Sequence, residues 1–283
     1  MKRLVSIFLL CVMTTLCAAA WAVNATSPKH AYPPDIAHIK KKGTLVVAFY
    51  NGNVPPFFYH DSKNQWTGID IDLAKMIAEQ LGVKLVVKPS NTYDGIVDMV
   101  ARRQADIGMG LLGITPQRAL KVRFSNRYYA FNPRLLFSRV QLGERGWTVW
   151  DAMNQLKNTK TPVKLGALES SLTYTMIKQT FPNAEIVAFP TIEAALQAAT
   201  DGKVLATISS APGEISNWFD SHPQNALRAV EVDLPEQTVI VGIAVPWQSE
   251  NLRQWLNIYI EYVKMNHIQE HLFEKYNAEG LEN

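Results

Sequence analysis

The chain has 283 residues, of which 47% are hydrophobic and 19% are charged, and its formal net charge is +3. This length is sufficient for one large or two small domains with buried hydrophobic cores. A charge so close to neutral gives no support for binding to nucleic acid or to a membrane surface. We therefore expect neither of these partners.

The first 22 residues have the pattern of a cleaved secretory signal. Lys2 and Arg3 precede a short apolar run, and Ala20-Trp21-Ala22 fits the cleavage site. The apolar run is short for a membrane-spanning helix, so we expect cleavage and export. Both cysteines, Cys11 and Cys17, lie in this segment. The mature chain is therefore expected to contain no disulfide and no thiolate metal site, and its net charge would be about +1.

Strands alternate with helices in the first half of the mature chain, after a loose, proline-bearing leader predicted over residues 23–42. Apolar, β-prone runs predict strands over 45–49, 85–88 and 106–109. Apolar residues at helical spacing predict helices over 69–81 and 93–103. This alternation is typical of a mostly parallel sheet flanked by helices, and we assign 43–139 to a first lobe.

A second series of strands and helices predicts a second lobe over 142–235. Strands are predicted over 163–166, 185–189 and 205–208, with helices over 170–180 and 191–200. A strand over 239–245 and two amphipathic helices after it are expected to return to the first lobe, so that 239–283 belongs there. The sequence thus predicts an α/β protein with two chain crossings, near 138–142 and 234–238, on which two lobes can hinge.

The stretch from Gly110 to Arg118 has the features of a carboxylate site. Thr115 is a good helix N-cap, Pro116 suits the first helical position, and Arg118 then lies in the first turn. Backbone N–H groups and a guanidinium are thereby directed at one place, a combination that suits a carboxylate. The alternative interpretation is an ordinary helix start with a solvated arginine.

A series of motifs occurs in a fixed order between Lys42 and Gly280. They are Gly43-Thr-Leu-Val-Val-Ala, Pro56-Phe57 with Tyr59, Gly68-Ile-Asp-Ile-Asp72, Tyr93-Asp-Gly-Ile, Arg103-Gln-Ala-Asp106, and Gly113-Ile-Thr115 to Arg118 with Phe124-Ser125 and Tyr128. In this order the chain resembles the extracytoplasmic solute-binding proteins of ABC importers, in the polar amino-acid (type II) family.

The resemblance implies the fold and the biological setting of the protein. The implied fold is the two-lobed type II periplasmic-binding-protein fold, in which each lobe is a mostly parallel sheet flanked by helices and a two-strand hinge joins the lobes. The implied protein is a periplasmic monomer without cofactor or metal. It would capture a small carboxylate-bearing solute, an amino acid or a related organic acid, for the membrane permease of an ABC importer.

The resemblance also implies a ligand site between the lobes. On the first lobe, Arg118 would clamp the ligand carboxylate, assisted by the backbone from Leu111 to Thr115. Gly113 stands where many members have Ser or Thr, so we expect no side-chain contact there. Tyr93 starts the helix that faces the cleft in relatives, and Asn51 occupies a loop position where amino-acid binders often have Asp. Both are therefore expected at the ligand.

On the second lobe, the expected contacts are Ser170, Ser171 and Ser210. Members of the family begin a helix here with a Gly-Ser/Thr-Ser/Thr turn, and we align Glu169-Ser170-Ser171 with that turn. The hydroxyl groups are then retained and the glycine is lost.

The main departure from the family concerns two aspartates of the second lobe. Leu205 and Ser210 stand in their places, and the second of these aspartates binds the α-ammonium of the ligand in relatives. A cation buried without a countercharge is unfavourable. An organic anion without the amine is therefore expected to fit better, unless Glu169, Glu214 or Asp70 supplies the charge.

Two other functions remain open at this point. The first is an enzyme on the same scaffold, similar to periplasmic cyclohexadienyl dehydratases that act on prephenate or arogenate, with Glu169 or Glu214 as the general acid. The second is an accessory binding protein without a role in transport.

Two further motifs are interpreted as structural. His267-Ile-Gln-Glu-His271 matches a zinc-peptidase pattern, but the spacing of its apolar residues favours a packing helix, so we expect no metal site. Asp70 and Asp72 are expected to cap a helix start or to compensate its dipole.

Overall fold

The computed structural model describes residues 32–158, 163–234 and 236–276. The predicted signal over 1–22 and the first part of the predicted leader lie outside these residues. Within the described segments, no helix has the length and apolar character needed to cross a bilayer.

Two α/β units make up the described chain. In chain order, the elements are α1 (Pro34–Lys42), β1 (Thr44–Tyr50), β2 (Tyr59–His60), β3 (Trp66–Thr67), α2 (Ile69–Gln80), β4 (Lys84–Ser90), α3 (Tyr93–Ala101), β5 (Ile107–Gly108), α4 (Pro116–Ala119), β6 (Arg123–Phe131), β7 (Arg134–Ser138), α5 (Arg139–Arg145), α6 (Val149–Asn158), β8 (Lys164–Leu168), α7 (Leu172–Thr180), β9 (Glu185–Phe189), α8 (Ile192–Thr200), β10 (Ala206–Ser209), α9 (Glu214–Ser221), a 3₁₀ turn (Pro223–Asn225), β11 (Ala229–Asp233), β12 (Val239–Val245), α10 (Glu250–Met265) and α11 (Ile268–Lys275).

Helix α1 corrects the expectation of a loose leader up to residue 42. Asp35 lies in its first turn and three lysines lie in its last turn, so its charges complement the helix dipole. Gly43 ends the helix in a left-handed conformation, with φ of 72°. Ile36 and Ile39 are buried in the hydrophobic core of the first lobe, which holds the helix in place.

Each lobe contains one five-stranded sheet, and the predicted fold class is confirmed. The first sheet has the strand order β4-β1-β5-β12-β6, and the second has the order β11-β7-β10-β8-β9. Strand β1 is parallel to β4 and β5, and β8 is parallel to β9 and β10. Antiparallel pairing is confined to β12 in the first sheet and to β7 in the second. The parallel strands place their carboxyl ends, and the loops that follow them, at one edge of each sheet.

The first crossing lies earlier in the chain than the sequence predicts. Strand β7 pairs with β10 and β11, so 134–138 belongs to the second sheet and the assignment of residues up to 139 to the first lobe is wrong. Leu135 and Phe137 are fully buried in the core of the second lobe. The chain therefore crosses at 132–133, between β6 and β7, and it crosses back between Asp233 and Val239.

Gly68, at the start of α2, is a position where an added side chain should strongly destabilise the fold. Its φ is 118°, and a Cβ placed there would lie 2.4 Å from the Phe57 carbonyl oxygen. We expect Gly68→Ala to lower the free energy of unfolding by about 3 kcal/mol, measured by urea denaturation. The matched control is Gly143→Ala in α5, where the new Cβ meets no atom within 4 Å. An equal loss of stability in both variants would contradict the steric argument.

Candidate functional site

Five residues form a contact between the two lobes, which we call the interlobe contact and define by Pro55, Gly113, Leu172, Ala211 and Asn217. Asn217 Nδ2 of the second lobe donates to the Pro55 carbonyl oxygen of the first at 2.9 Å. A Cβ built on Gly113 would lie 2.5 Å from Leu172 Cδ2, so the leucine fills the space beside the glycine. Ala211 is buried in the core cluster of the first lobe. Gly113, one of the predicted site residues, lies in this contact.

Arg118 is a buried and oriented guanidinium beside the interlobe contact, with 8% of its side chain exposed. Its Nε donates to Asp94 Oδ1 at 3.1 Å, and its Nη1 donates to the Gly113 carbonyl oxygen at 2.9 Å. The Arg118 backbone N–H donates to Thr115 Oγ1 at 3.1 Å, so Thr115 is an N-cap as predicted. The solvated-arginine alternative is therefore wrong. Because a guanidinium has five N–H donors, this arrangement orients the group and leaves donors for a ligand.

The Gly113 backbone faces the same space as Arg118. Gly113 forms an isolated antiparallel bridge with Val241, in which the flanking groups make the hydrogen bonds. Ile114 N donates to Ile240 O at 2.9 Å, and Gly242 N donates to Leu112 O at 3.2 Å. In such a pair the N–H and C=O of the central residue both point away from the partner strand. Since the Gly113 C=O meets Arg118, its N–H points to the same side.

Leu111 does not direct its amide at the cleft, contrary to the expectation from the sequence. Its φ is 52°, and its N–H donates to Asp70 Oδ2 at 3.0 Å. This bond is buried inside the first lobe. The Leu111 N–H is therefore not available to a ligand, and the Thr115 hydroxyl serves as the cap.

Charges from both lobes act on Tyr93, and Asn51 follows Tyr50, the residue on which Tyr93 stacks. The Tyr93 ring stacks on Tyr50, with 4.9 Å between ring centroids. Burial raises the pKa of Tyr93 well above its usual value, the charge of Glu214 raises it further and that of Arg118 lowers it. Asn51 is exposed, and its Nδ2 lies 3.5 Å from Asn91 Oδ1. Tyr93 thus lies within reach of charges from both lobes, and the expectation that Asn51 contacts the ligand stays a prediction.

The turn of the second lobe is shifted by one residue from the predicted alignment. Ser170 has φ of 56°, the left-handed conformation that favours glycine, so it rather than Glu169 takes the glycine position. Ser171 caps α7: its Oγ accepts from Tyr174 N at 3.1 Å and donates to Leu168 O at 2.6 Å. The Ser171 hydroxyl is therefore used within its own turn. Leu172 occupies the next position, where the family pattern has a second hydroxyl residue.

Glu214 is an acidic residue of the second lobe whose charge acts on Tyr93 of the first. It begins α9, and its Oε2 accepts from Ser209 Oγ at 2.5 Å and from Ala211 N at 3.4 Å. Burial raises the pKa of Glu214 to about 7, and the charge of Glu193 adds to this rise. Ser210 contributes a backbone hydrogen bond to the same carboxylate. An acid is thus present beside Ser210, whereas Leu205 is buried in the core.

The remaining motifs lie away from the cleft. Asp72 Oδ2 accepts from Lys275 Nζ at 2.6 Å and from Tyr276 OH at 2.8 Å, and neither acid in the first turn of α2 caps the helix. His267 and His271 each contact a different glutamate of α11 at 3.3 Å. Within 32–158, 163–234 and 236–276, no three His, Cys, Asp or Glu side chains form a group that could hold a metal ion.

Two α/β lobes, each with one five-stranded sheet and joined by two crossings, have the architecture of a two-lobed type II binding-protein fold. Residues 45–279 match the family of bacterial extracellular solute-binding proteins, family 3, and the chain belongs to this family. The resemblance stated from the sequence is thereby confirmed.

Three similar proteins illustrate the range of this fold. The membrane-bound lytic murein transglycosylase F of Aliivibrio fischeri is 31% identical over 150 residues, which are 53% of this chain and 29% of that protein. The putative ABC transporter arginine-binding protein 2 of Escherichia coli K12 is 24% identical over 78% of this chain and 86% of its own length. The crystal structure of an ancestral amino acid-binding protein, a precursor of cyclohexadienyl dehydratase, superposes with a TM-score of 0.69 at 28% identity, covering 85% of this chain and 98% of that one. The chain therefore spans less than a third of the transglycosylase and nearly all of the two binding proteins.

Proposed function

We propose that this protein captures a small amino acid between its lobes and delivers it to the membrane permease of an ABC importer. The observation that carries the proposal is the buried Arg118 guanidinium, fixed by Asp94 and by the Gly113 carbonyl beside the interlobe contact. A carboxylate matches this site, because its two oxygens can accept from the guanidinium and from the Gly113 N–H together. In this proposal the protein acts in the periplasm as a monomer.

Glu214 leads us to revise the preference for a ligand without an amine. It is a carboxylate on the opposite lobe, and its charge acts on Tyr93 as that of Arg118 does. An ammonium group placed next to Glu214 would compensate the cost of burying that carboxylate. The two lobes thus offer opposite charges to the two ends of a zwitterion. The similar E. coli protein is described as a putative arginine-binding protein and the ancestral structure as an amino acid-binding protein, which supports an amino-acid ligand as well.

The test is a calorimetric screen of residues 23–283 with matched ligand pairs. Each pair contains an amino acid and the same molecule without its α-amine. We expect the amino acid to bind at least about tenfold more tightly, which corresponds to roughly 1.4 kcal/mol. Binding of the amine-free member alone would refute the role of Glu214. Binding of neither member in any pair would refute the proposal as a whole.

A second candidate function is supported by the protonation of Glu214. A carboxyl group with a pKa of about 7 is half protonated near neutral pH and can act as a general acid. Opposite Arg118, it would protonate the departing hydroxyl of prephenate, which then loses water and carbon dioxide to give phenylpyruvate. The ancestral structure is described as a precursor of cyclohexadienyl dehydratase. Formation of phenylpyruvate by the purified protein, and its loss in Glu214→Gln, would favour this function over transport.

A further inference from the structure

Asp70 is a fully buried carboxylate that joins three separate elements of the first lobe. It lies in the first turn of α2, and none of its surface is exposed. Its Oδ2 accepts from the Leu111 backbone N–H at 3.0 Å and from the Tyr128 hydroxyl at 3.0 Å. Leu111 belongs to the loop after β5, and Tyr128 belongs to β6. One carboxylate oxygen therefore ties a helix, a loop and a strand together.

This carboxylate is costly for stability, so its retention needs a local reason. Its Oδ1 is buried without a hydrogen-bond partner among the described residues. Burial raises the pKa of Asp70 to about 7, against the lowering effect of bonds from Leu111, Tyr128 and Gly110. An apolar side chain at this position would avoid this cost. What the carboxylate supplies is an acceptor for a backbone that cannot pair within a strand or helix.

That backbone is strained at the point where it enters the candidate site. Gly110 has φ of 89° and Leu111 has φ of 52°, and the second of these values is unfavourable for a leucine. Two residues further on, Gly113 directs its carbonyl at Arg118. The turn that leads to Gly113 is therefore held from outside by Asp70, while the bridge to Val241 holds the residues on either side of Gly113.

We propose that Asp70 is a positioning residue: its bond to Leu111 fixes the turn at 110–111 and thereby aims the Gly113 backbone and the Arg118 guanidinium at the ligand. This inference rests on the proposed function, since it assumes that a carboxylate binds at Arg118. Asp70 acts through the loop, because its own side chain lies inside the lobe.

The first measurement is a pH titration of the Leu111 amide signal by NMR, which needs no variant. Tyr93, Tyr128 and Tyr129 surround Asp70, and burial raises the pKa of each well above its usual value, so they do not titrate near neutral pH. We expect the Leu111 amide to report the titration of Asp70. An amide shift that is independent of pH would overturn the bond on which the inference depends.

The second measurement uses Asp70→Asn, with acetate as the carboxylate probe. We expect the Gly113 amide and Arg118 Nε signals to move in the ligand-free variant, and its affinity for acetate to fall roughly 3- to 30-fold. The control is Asp72→Asn, two residues along the same turn, whose carboxylate pairs with Lys75 and Lys275 instead of the loop. It should lower stability and leave these signals and the acetate affinity unchanged.

The outcomes separate this inference from the proposed function. Unchanged Gly113 and Arg118 signals in folded Asp70→Asn would overturn the positioning role, even if acetate binds. If the Gly113 and Arg118 signals move in Asp70→Asn but the wild-type protein does not bind acetate, the positioning role is supported and the proposed carboxylate site is refuted. If Asp70→Asn does not fold, Tyr128→Phe replaces it: it keeps the Leu111 bond, so the Leu111 amide should still titrate.

Discussion

Replacing Arg118 with alanine is expected to lower the affinity for a carboxylate ligand by at least about 100-fold. Two charge-assisted hydrogen bonds are lost, and such bonds contribute roughly 1.5 to 3 kcal/mol each. The change also removes the donor that holds the Gly113 carbonyl and leaves Asp94 without its ion-pair partner. The measurement is titration calorimetry with the tightest ligand from the matched pairs.

Two further variants make the Arg118 result specific. Arg118→Lys keeps the positive charge and loses the planar fork, so we expect an intermediate loss of about tenfold. Lys121→Ala removes a neighbouring cation whose exposed pair with Asp98 lies outside the site, and its affinity should equal that of the wild type. An Arg118→Ala protein that binds within twofold of the wild type would contradict the assignment of the carboxylate site.

Glu214→Gln is expected to weaken the binding of an amino acid by about 30-fold and to leave the binding of its amine-free partner unchanged or improved. Glutamine keeps the shape and the acceptor for Ser209, so the loss isolates the charge that faces the ammonium group. The two ligands differ in their binding free energy, and this difference is compared between the wild type and Glu214→Gln. The comparison is a double-mutant cycle in which removal of the ligand's amine is one of the two changes. Equal losses for both ligands would assign Glu214 a structural role.

The pH dependence of binding gives an independent check on Glu214. The pKa of Glu214 is about 7 in the ligand-free protein, and an adjacent ammonium favours its ionised form. An amino acid therefore expels a proton when it binds below pH 7, and its affinity should fall as the pH is lowered towards about 5.5. An amine-free acid should show the opposite trend, because it binds better when Glu214 is neutral. Glu214→Gln should remove both trends.

The pH dependence of folding stability is expected to be opposite to the pH dependence of amino-acid binding. The pKa values of Asp70 and Glu214 are both raised above those of ordinary carboxyl groups, so the folded state holds these protons more tightly than the unfolded state. Their contribution to the free energy of unfolding is fully present below the unfolded pKa and is lost as the pH rises through about 7. Affinity for an amino acid that increases over the same range can therefore not be explained by a more stable fold.

Local signals explain which parts of the molecule the sequence predicts well. The N-cap at Thr115 and the start of α4 depend on residues within four positions of one another, and the structure contains the predicted bond. The alternation of strands and helices follows from apolar spacing within each segment. The same short stretch predicts Arg118 as a site residue, because the prediction needs no tertiary contact.

The errors arise where one segment depends on another that is distant in sequence. Strand β7 is apolar enough for either sheet, and only its pairing with β10 and β11 assigns it to the second. The Leu111 N–H donates to Asp70, which lies 41 residues earlier in the chain. Ser170 takes a left-handed conformation that its residue type does not signal. Glu214 was named only as one of three possible acids, because its position beside Tyr93 depends on how the lobes meet.

Because of the interlobe contact, the measured affinity for a ligand can differ from the intrinsic affinity of the site for that ligand. For a ligand enclosed between the lobes, the measured affinity is the intrinsic affinity multiplied by the fraction of molecules already in the enclosing arrangement. The Asn217–Pro55 hydrogen bond and the packing of Leu172 on Gly113 raise that fraction without touching a ligand. Each 1.4 kcal/mol that they add multiplies the affinity by about ten until the open form becomes negligible. Beyond that point they can only delay release, so under the proposed function these few residues set the balance between capture of the ligand and its release.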